Sequence, residues 1–436
     1  MIQAAGTREP GRIAVSPTRL LVTGGALVAA GSFVWQLSNF AFNSVAAHLL
    51  GPGRFGDLAA MTGLAYLAGP VFLSIQTVAS RMSTPLAMSG QLPRIRGLLR
   101  YYTIRLVLFG LVAWAAVAAF SPMVARIIHL PSPVPVAIVG SVFVLFSVTH
   151  LQRGVLQGTQ AFGPYGLSAA FEGIMKIVAA AVIVTLLLRT ETGAVVAIPI
   201  AAACAIAVNW LLLRFLPRPD EPVRPVTHPY GYSLTTLATL LLLAVLLSAD
   251  VIAGRHYLGQ NTAGLYAAVS LSGRIVFFAT TSMTFFLFPI FSERHDRGSD
   301  GRVSLAAGLS ALAVLSVLIV AGYFVSPHLL IQPLFGHRFA GAGGYIGWMG
   351  IAFGLYGATY LTAMYLLSQK RLLALPILGC AVLLQMAGFY TFHSSIEHLI
   401  GVETVVFGAA AVSLISIALI TRSHPHTGTE SRWALR

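Results

Sequence analysis

The feature that most limits how this chain can fold is the length of its uncharged segments. Leu20–Gly53, Leu58–Ser80, Leu106–Ala125, Ile127–Gln152, Thr192–Leu213, Pro225–Ala249, Val303–His337 and Phe339–Gln369 hold no Asp, Glu, Lys or Arg. A helix crosses a bilayer on roughly 20 apolar residues, and each of these runs is long enough to do so. Of 436 residues, 57% are hydrophobic and 9% are charged, with a mean hydropathy of +0.82. A soluble domain carries about 25% charged residues. An ordinary cytosolic protein is therefore excluded.

The pattern predicts an all-α polytopic membrane protein with about twelve transmembrane helices. The first six are expected near 21–46, 58–81, 103–125, 134–156, 163–188 and 193–214. The second six are expected near 232–253, 262–290, 304–326, 340–367, 372–392 and 401–421. The segment Arg214–Ser233 is rich in proline and carries charges of both signs, which reads as a linker between two halves. The expected organisation is an N-terminal segment 1–20, an N-lobe 21–214, a linker 215–231, a C-lobe 232–421 and a tail 422–436. The first run follows Arg8, Arg12 and Arg19 as a signal peptide would. It is too long and lacks a convincing cleavage site, so it reads as a retained helix.

A net charge of +14 would suggest nucleic acid in a soluble protein. Here most of the 27 basic residues fall in alternate connections, among them Arg81, Arg94, Arg96, Arg100 and Arg105, together with Arg294, Arg297 and Arg302. Lys and Arg mark the cytoplasmic side. The charge therefore reads as topology with both termini inside, and nucleic acid is not an expected partner. Cys204 and Cys380 lie within apolar runs and point to neither a disulfide framework nor a metal site.

The halves share a motif. HLLGPGRFGDLAA (48–60) aligns without a gap on HYLGQNTAGLYAA (256–268). His48 and His256, Leu50 and Leu258, Gly51 and Gly259, Gly56 and Gly264, Ala59 and Ala267, and Ala60 and Ala268 are identical. Both copies follow the first helix of a half, so the repeats are parallel, about an axis along the membrane normal. The glycines allow a tight turn between helices.

LLGPGRFGDLAAM (49–61), RGVLQGTQAFGPYG (153–166) and LGQNTAGLYAAVSLSGR (258–274) resemble the polysaccharide and oligosaccharide flippase branch of the multidrug/oligosaccharidyl-lipid/polysaccharide (MOP) exporter superfamily. The resemblance implies two six-helix lobes around a central cavity that work by alternating access. It implies export of a polyprenyl-pyrophosphate-linked oligosaccharide across the inner membrane. The implied partners are that substrate, membrane lipids, and a polysaccharide polymerase with assembly proteins. No cofactor is implied beyond a coupling ion, H+ or Na+.

Charged groups within the bilayer are costly and each is a candidate for function. Glu172 and Lys176 stand at i,i+4 in the fifth helix, on one face with Ser168. They form either a cavity-lining pair for phosphate or sugar, or a self-neutralising pair that lets the helix pack. Arg274 lies in mid-span and needs an anionic partner, for which a pyrophosphate or Asp250 would serve. Asp250, near the end of the seventh helix, is either a coupling group, as in similar exporters, or a partner of Arg255. Glu172 is the other coupling candidate.

Softer polar stripes add Gln36, Asn39 and Asn43 in the first helix, and Ser74, Thr77 and Arg81 in the second. Ser147, His150, Arg153 and Gln157 add a third in the fourth helix. Stripes of this kind suit a hydrated cavity. Gly343, Gly347, Gly350, Gly354 and Gly357 place a smooth face on the tenth helix, for close packing or for sliding.

Three functions are compatible with the chain. The first is the lipid-linked oligosaccharide transporter, whose anionic headgroup a cavity of Arg and Lys suits. The second is a cation-coupled multidrug exporter of the same superfamily. Such exporters often carry an acid in the first helix, and Leu20–Gly53 has none. A membrane-embedded polymerase or glycosyltransferase is the third, but no nucleophile–base pair or metal cluster is visible, and the expectation is a non-enzyme. The related lipid II flippases commonly have fourteen helices, from which this chain departs.

Overall fold

The computed structural model describes residues 17–217, 231–296, 301–369 and 372–420, and among these there are helices and no strands. Most of the linker expected at 215–231 lies outside the described residues, as do the chain before residue 17 and the tail after residue 420. Eleven helical runs are long and apolar enough to cross a membrane. The first of them, Phe33–Met88, has 56 residues. At 1.5 Å per residue that is about 84 Å, far beyond one hydrocarbon core. It contains two crossings, which brings the count to twelve.

The division falls within α1 (Pro17–Leu67), where Gly51 adopts φ 74°, ψ 175° ahead of Pro52. Proline disfavours helical backbone in the residue before it, and glycine takes the left-handed conformation without a Cβ penalty. The duplicated motif thus begins on the turn that the sequence predicts. α2 (Gly69–Met88) continues the second crossing after a single break at Ala68.

α3 (Leu92–Ile127) extends eleven residues further toward the linker end than its apolar core suggests, through Arg94, Arg96 and Arg100. The fourth crossing is split at Ser141 into α4 (Val134–Gly140) and α5 (Val142–Gly158). α6 (Phe162–Val182) closes in a π-turn over Ile183–Leu187, and α7 (Glu191–Leu212) ends the first half.

The second half comprises α8 (Gly231–Tyr257), α9 (Gln260–Asp296) and α10 (Arg302–Val325), then the short α11 (His328–Phe335) and a 3-10 segment His337–Tyr345. It ends with α12 (Ile346–Ser368), α13 (Ala374–Thr391) and α14 (Ile396–Ile420). Gly343 therefore belongs to the 3-10 segment rather than to the tenth crossing.

Gly347, Gly350 and Gly354 of the stripe have packing partners. Methyl groups built on Gly347 and Gly350 would run into Phe324 and into Val320 of α10, and Gly354 faces Ser316. α12 is the buried post of the second lobe, in contact with α9, α10 and α14. In the first lobe α1 packs on α6, and α5 on α2 and α3. The lobes meet where α1 runs along α8 and α9, and where α2 runs along α8.

Candidate functional site

Each lobe buries one group of charges, and a third lies between them. In the first lobe the fully buried Arg153 donates through Nε to Ser168 Oγ at 3.0 Å and through Nη2 to the Ser168 carbonyl at 2.9 Å. The same Nη2 lies 2.9 Å from Glu172 Oε2. Trp35 Nε1 donates to the other carboxylate oxygen at 3.3 Å. Glu172 is thus held by Arg153, although Lys176 is the cation that follows it by one helical turn. Lys176 instead donates to Asn39 Oδ1 and lies 4.9 Å from the Phe42 ring centroid. Lys176 is half-buried, and among the described residues no carboxylate pairs with it. His150 is packed against Phe72 and Phe146 rather than placed in the ion pair.

In the second lobe Arg274 Nη2 contacts Asp250 Oδ1 at 3.0 Å and donates to the Leu247 carbonyl at 2.9 Å. Ser270 Oγ donates to the other oxygen of Asp250. Across the seam, the guanidinium of Arg274 stands 6.0 Å from the ring of Tyr66 in α1. Glu403 of α14 shares this interior with Tyr266, Asp250 and Arg274. It is wholly inaccessible to solvent, the Tyr266 hydroxyl is its polar neighbour, and among the described residues no cation pairs with it. An acid inside the membrane without a paired cation is costly and is a candidate for function.

Arg255 departs from the expectation of an Asp250 partner five residues away. It crosses the lobes and pairs with the buried Asp57, while its Nη2 donates to the His129 carbonyl at 2.6 Å. Gln260 Nε2 donates to the second oxygen of Asp57 at 3.0 Å. Helix geometry explains the difference, because residues five apart diverge by more than 100° around the axis whereas i,i+4 pairs share a face.

Around this bond the two copies of the motif interlock. Gly56 and Gly264, which are equivalent positions, press backbone to backbone. A Cβ on Gly56 would sit 2.8 Å from Gly264 N, and one on Gly264 would overlap Pro52. Each copy also docks on the far lobe: His48 faces Gly336 and Gly51 faces Arg338, while His256 contacts the Ile127 carbonyl and stacks on His129. The lobes are therefore clasped at the end of the bundle that carries the duplicated motif.

The remaining candidates lie apart. Arg81 is exposed on α2 and Gln36 is half-exposed on α1. Gln76 of α2 donates to Gln157 at 3.2 Å and to Tyr165 at 3.3 Å, which ties the linker-side ends of α2, α5 and α6. Among the described residues no three His, Cys, Asp or Glu side chains converge as a metal site would require. Sequence reasoning missed Glu403, Tyr66 and Tyr266 and the pair Asp57–Arg255. Glu403 had a signal, an acid in an otherwise apolar run. The last helix is expected near 401, whereas α14 starts at Ile396 and puts Glu403 two turns inside.

The sequence matches the family model "Polysaccharide biosynthesis protein" over residues 98–342, more than half of the chain. The chain belongs to this polysaccharide biosynthesis protein family. No curated protein sequence matches it. The family member's fold is similar to that of an inward-facing multidrug resistance MATE family transporter of the MOP superfamily, with a TM-score of 0.71 and 12% identity over 88% of this chain and 93% of that one. An outward-facing MATE transporter gives a TM-score of 0.65 at 12% identity, over 93% and 96%. A MOP superfamily transporter from Pyrococcus furiosus, described as having a binding pocket of reversed polarity, gives 0.59 at 12% identity, over 93% and 98%. Family and fold agree with the superfamily to which the motifs point, and the protein is a multi-pass membrane protein.

Proposed function

We propose that this protein is a secondary transporter that carries a polyprenyl-pyrophosphate-linked oligosaccharide across the cytoplasmic membrane by alternating access, with both termini inside. The carrying observation is Lys176. Its neighbouring carboxylate is already taken by Arg153, so a half-buried ammonium remains for an anionic headgroup. Charge-assisted bonds from Lys and Arg to phosphate oxygens are about twice as strong as neutral ones. Asn39 positions the ammonium, and Gln36 lies one turn away to meet sugar hydroxyls. Membership of a polysaccharide biosynthesis family supports the substrate class.

Coupling follows from the carboxylates. Glu172 and Asp250 each hold a fixed arginine, and Glu403 holds none. The coupling ion, H+ or Na+, is therefore assigned to Glu403 together with Asp250. The clasp of the two motif copies suits a state closed on the outside, and the fold agrees more closely with the inward-facing relative than with the outward-facing one.

Export in cells that carry only Lys176→Met tests the substrate reading. The expected outcome is loss of surface polysaccharide, accumulation of the lipid-linked saccharide on the inner leaflet, and a normal protein level, with Lys176→Arg restoring export in part. Undiminished polysaccharide in Lys176→Met would reject the proposal. A gain of drug sensitivity in its place would favour the multidrug reading.

A further inference from the structure

On the linker side of the bundle the first lobe has a cavity of about 280 Å³ that neither charge cluster touches. Val78 and Met82 of α2, Leu98 and Tyr102 of α3, and Val155 of α5 line it, and Leu237 of α8 completes it from the other lobe. Its floor is a separate apolar cluster that includes Ala79, Ile95, Leu99, Leu151 and Leu156. The cavity thus straddles the seam between α2 and α8, on the side of the bundle where α2 ends and α3 begins.

The rim is cationic. Arg81 stands on α2 between the lining residues Val78 and Met82, and Arg105 on α3 between Tyr102 and Leu106; both are exposed. Arg105 is held over the Tyr101 ring, 3.6 Å from its centroid. The nearby Arg94 and Arg96 are committed elsewhere, to Gln91 Oε1 and to the Leu216 carbonyl, each at 2.6 Å. Between Asp57 and Glu172 the sequence contains no acid at all, so α2 to α5 supply no carboxylate of their own to these cations. An apolar slot bordered by arginines complements a lipid with a long hydrocarbon chain and an anionic phosphate. Basic residues near the membrane surface attract anionic lipid.

We propose that this groove is a loading site for the carrier lipid of the substrate, with the polyprenyl chain seated against Val78, Leu98 and Val155 and its phosphate engaged by Arg81 and Arg105. This rests on the lipid-linked reading of the function. A chain held at the α2–α8 seam lies where the lobes part, so its headgroup enters the space between them while the hydrocarbon stays in the membrane. The site gives Arg81 a role in capture, apart from Lys176.

The test is binding, without transport. Full-length protein in nanodiscs is equilibrated with a long-chain polyprenyl phosphate, with the uncharged polyprenol, or with phosphatidylglycerol, and retained lipid is read by native mass spectrometry. The expected result is at least tenfold preference for polyprenyl phosphate over both others. Val78→Trp, which fills the groove, is expected to lower that retention at least tenfold. Arg81→Gln/Arg105→Gln is expected to lower retention of the phosphate but not of the polyprenol, which no misfolded protein would do. Equal retention by Val78→Trp with an unchanged melting temperature, or equal retention of phosphatidylglycerol, would overturn the proposal. Protein that binds polyprenyl phosphate in this way yet leaves saccharide export unaffected on deletion would instead sink the transport function and leave the lipid site standing.

Discussion

The charge cluster of the first lobe holds two cations and one carboxylate, Arg153, Lys176 and Glu172, while that of the second holds two carboxylates and one cation, Asp250, Glu403 and Arg274. Both contain one close ion pair at 2.9–3.0 Å and one charge left over. In the first lobe the residual group is a half-buried ammonium with a neighbouring amide. In the second it is a wholly buried carboxyl with no paired cation. Charge inside a membrane is tolerated when it is matched, as it is in both pairs. On the proposed function the residual groups, of opposite sign, take the ligands, an anion at Lys176 and a cation at Glu403 beside Asp250.

If that division holds, the two pairs differ in how replaceable they are. Arg274→Met leaves Asp250 and Glu403 without a countercharge. Breaking a buried pair from one side costs about 3–5 kcal/mol, so the variant is expected to melt far below the parent or fail to accumulate. Asp250→Asn/Arg274→Met should recover much of the loss. Arg153→Met should cost clearly less, since Lys176 lies one turn from Glu172 and can take over its neutralisation. Thermal melts of the four proteins in one detergent decide this. Equal losses in Arg153→Met and Arg274→Met would erase the distinction between the lobes.

The next effect concerns the bond that joins the lobes. Asp57→Asn keeps the shape of the side chain but takes the charge from Arg255, which retains the His129 carbonyl. Hydrogen bonds to charged groups contribute about 1.5–3 kcal/mol, and a loss in that range is expected for the clasped state. Cysteines at Gly56 and Gly264 would be too disruptive as probes there, given the backbone contact. Accessibility of a cysteine introduced at the exposed Leu49 to a membrane-impermeant maleimide is a gentler readout, and should rise in Asp57→Asn. Unchanged labelling would mean that the glycine interface alone keeps the lobes clasped.

What the sequence disclosed, and what it did not, follows the same physical division. The spans were legible because hydrocarbon allows few alternatives to a helix of about 20 apolar residues. The motif at 48–60 and 256–268 was legible as a repeat because Gly51, Gly56 and Gly264 sit where no side chain fits. Partners were not legible. Glu172 has Lys176 beside it in sequence and Arg153 beside it in space; Asp250 has Arg255 nearby and Arg274 in contact. Choosing between such candidates needs helix rotation and lobe docking, which hydropathy does not encode. Asp57, in a glycine-rich turn, read as a loop acid because its partner comes from the other half of the chain.

The smallest expected change in stability tests the residual carboxyl. Glu403→Gln keeps its volume, makes the group permanently neutral and can still hydrogen-bond the Tyr266 hydroxyl. Replacing a buried ionisable group by a neutral one of similar volume is often neutral or stabilising, so the variant should melt within about 1 kcal/mol of the parent. Its transport should suffer nonetheless, because a neutral amide takes up no proton and attracts a cation far more weakly than a carboxylate. In proteoliposomes with an imposed H+ or Na+ gradient, the parent is expected to move substrate faster than without one. Glu403→Gln is expected to lose at least tenfold of that acceleration, about 1.4 kcal/mol in a barrier, while its rate without a gradient stays close to the parent's. Glu403→Asp should keep part of the response. A Glu403→Gln protein that still responds fully to the gradient would place coupling on Asp250 alone and leave the orphaned carboxyl without a role. A variant that unfolds would instead show that the group is paired after all, and the contrast between the lobes would reduce to one of charge.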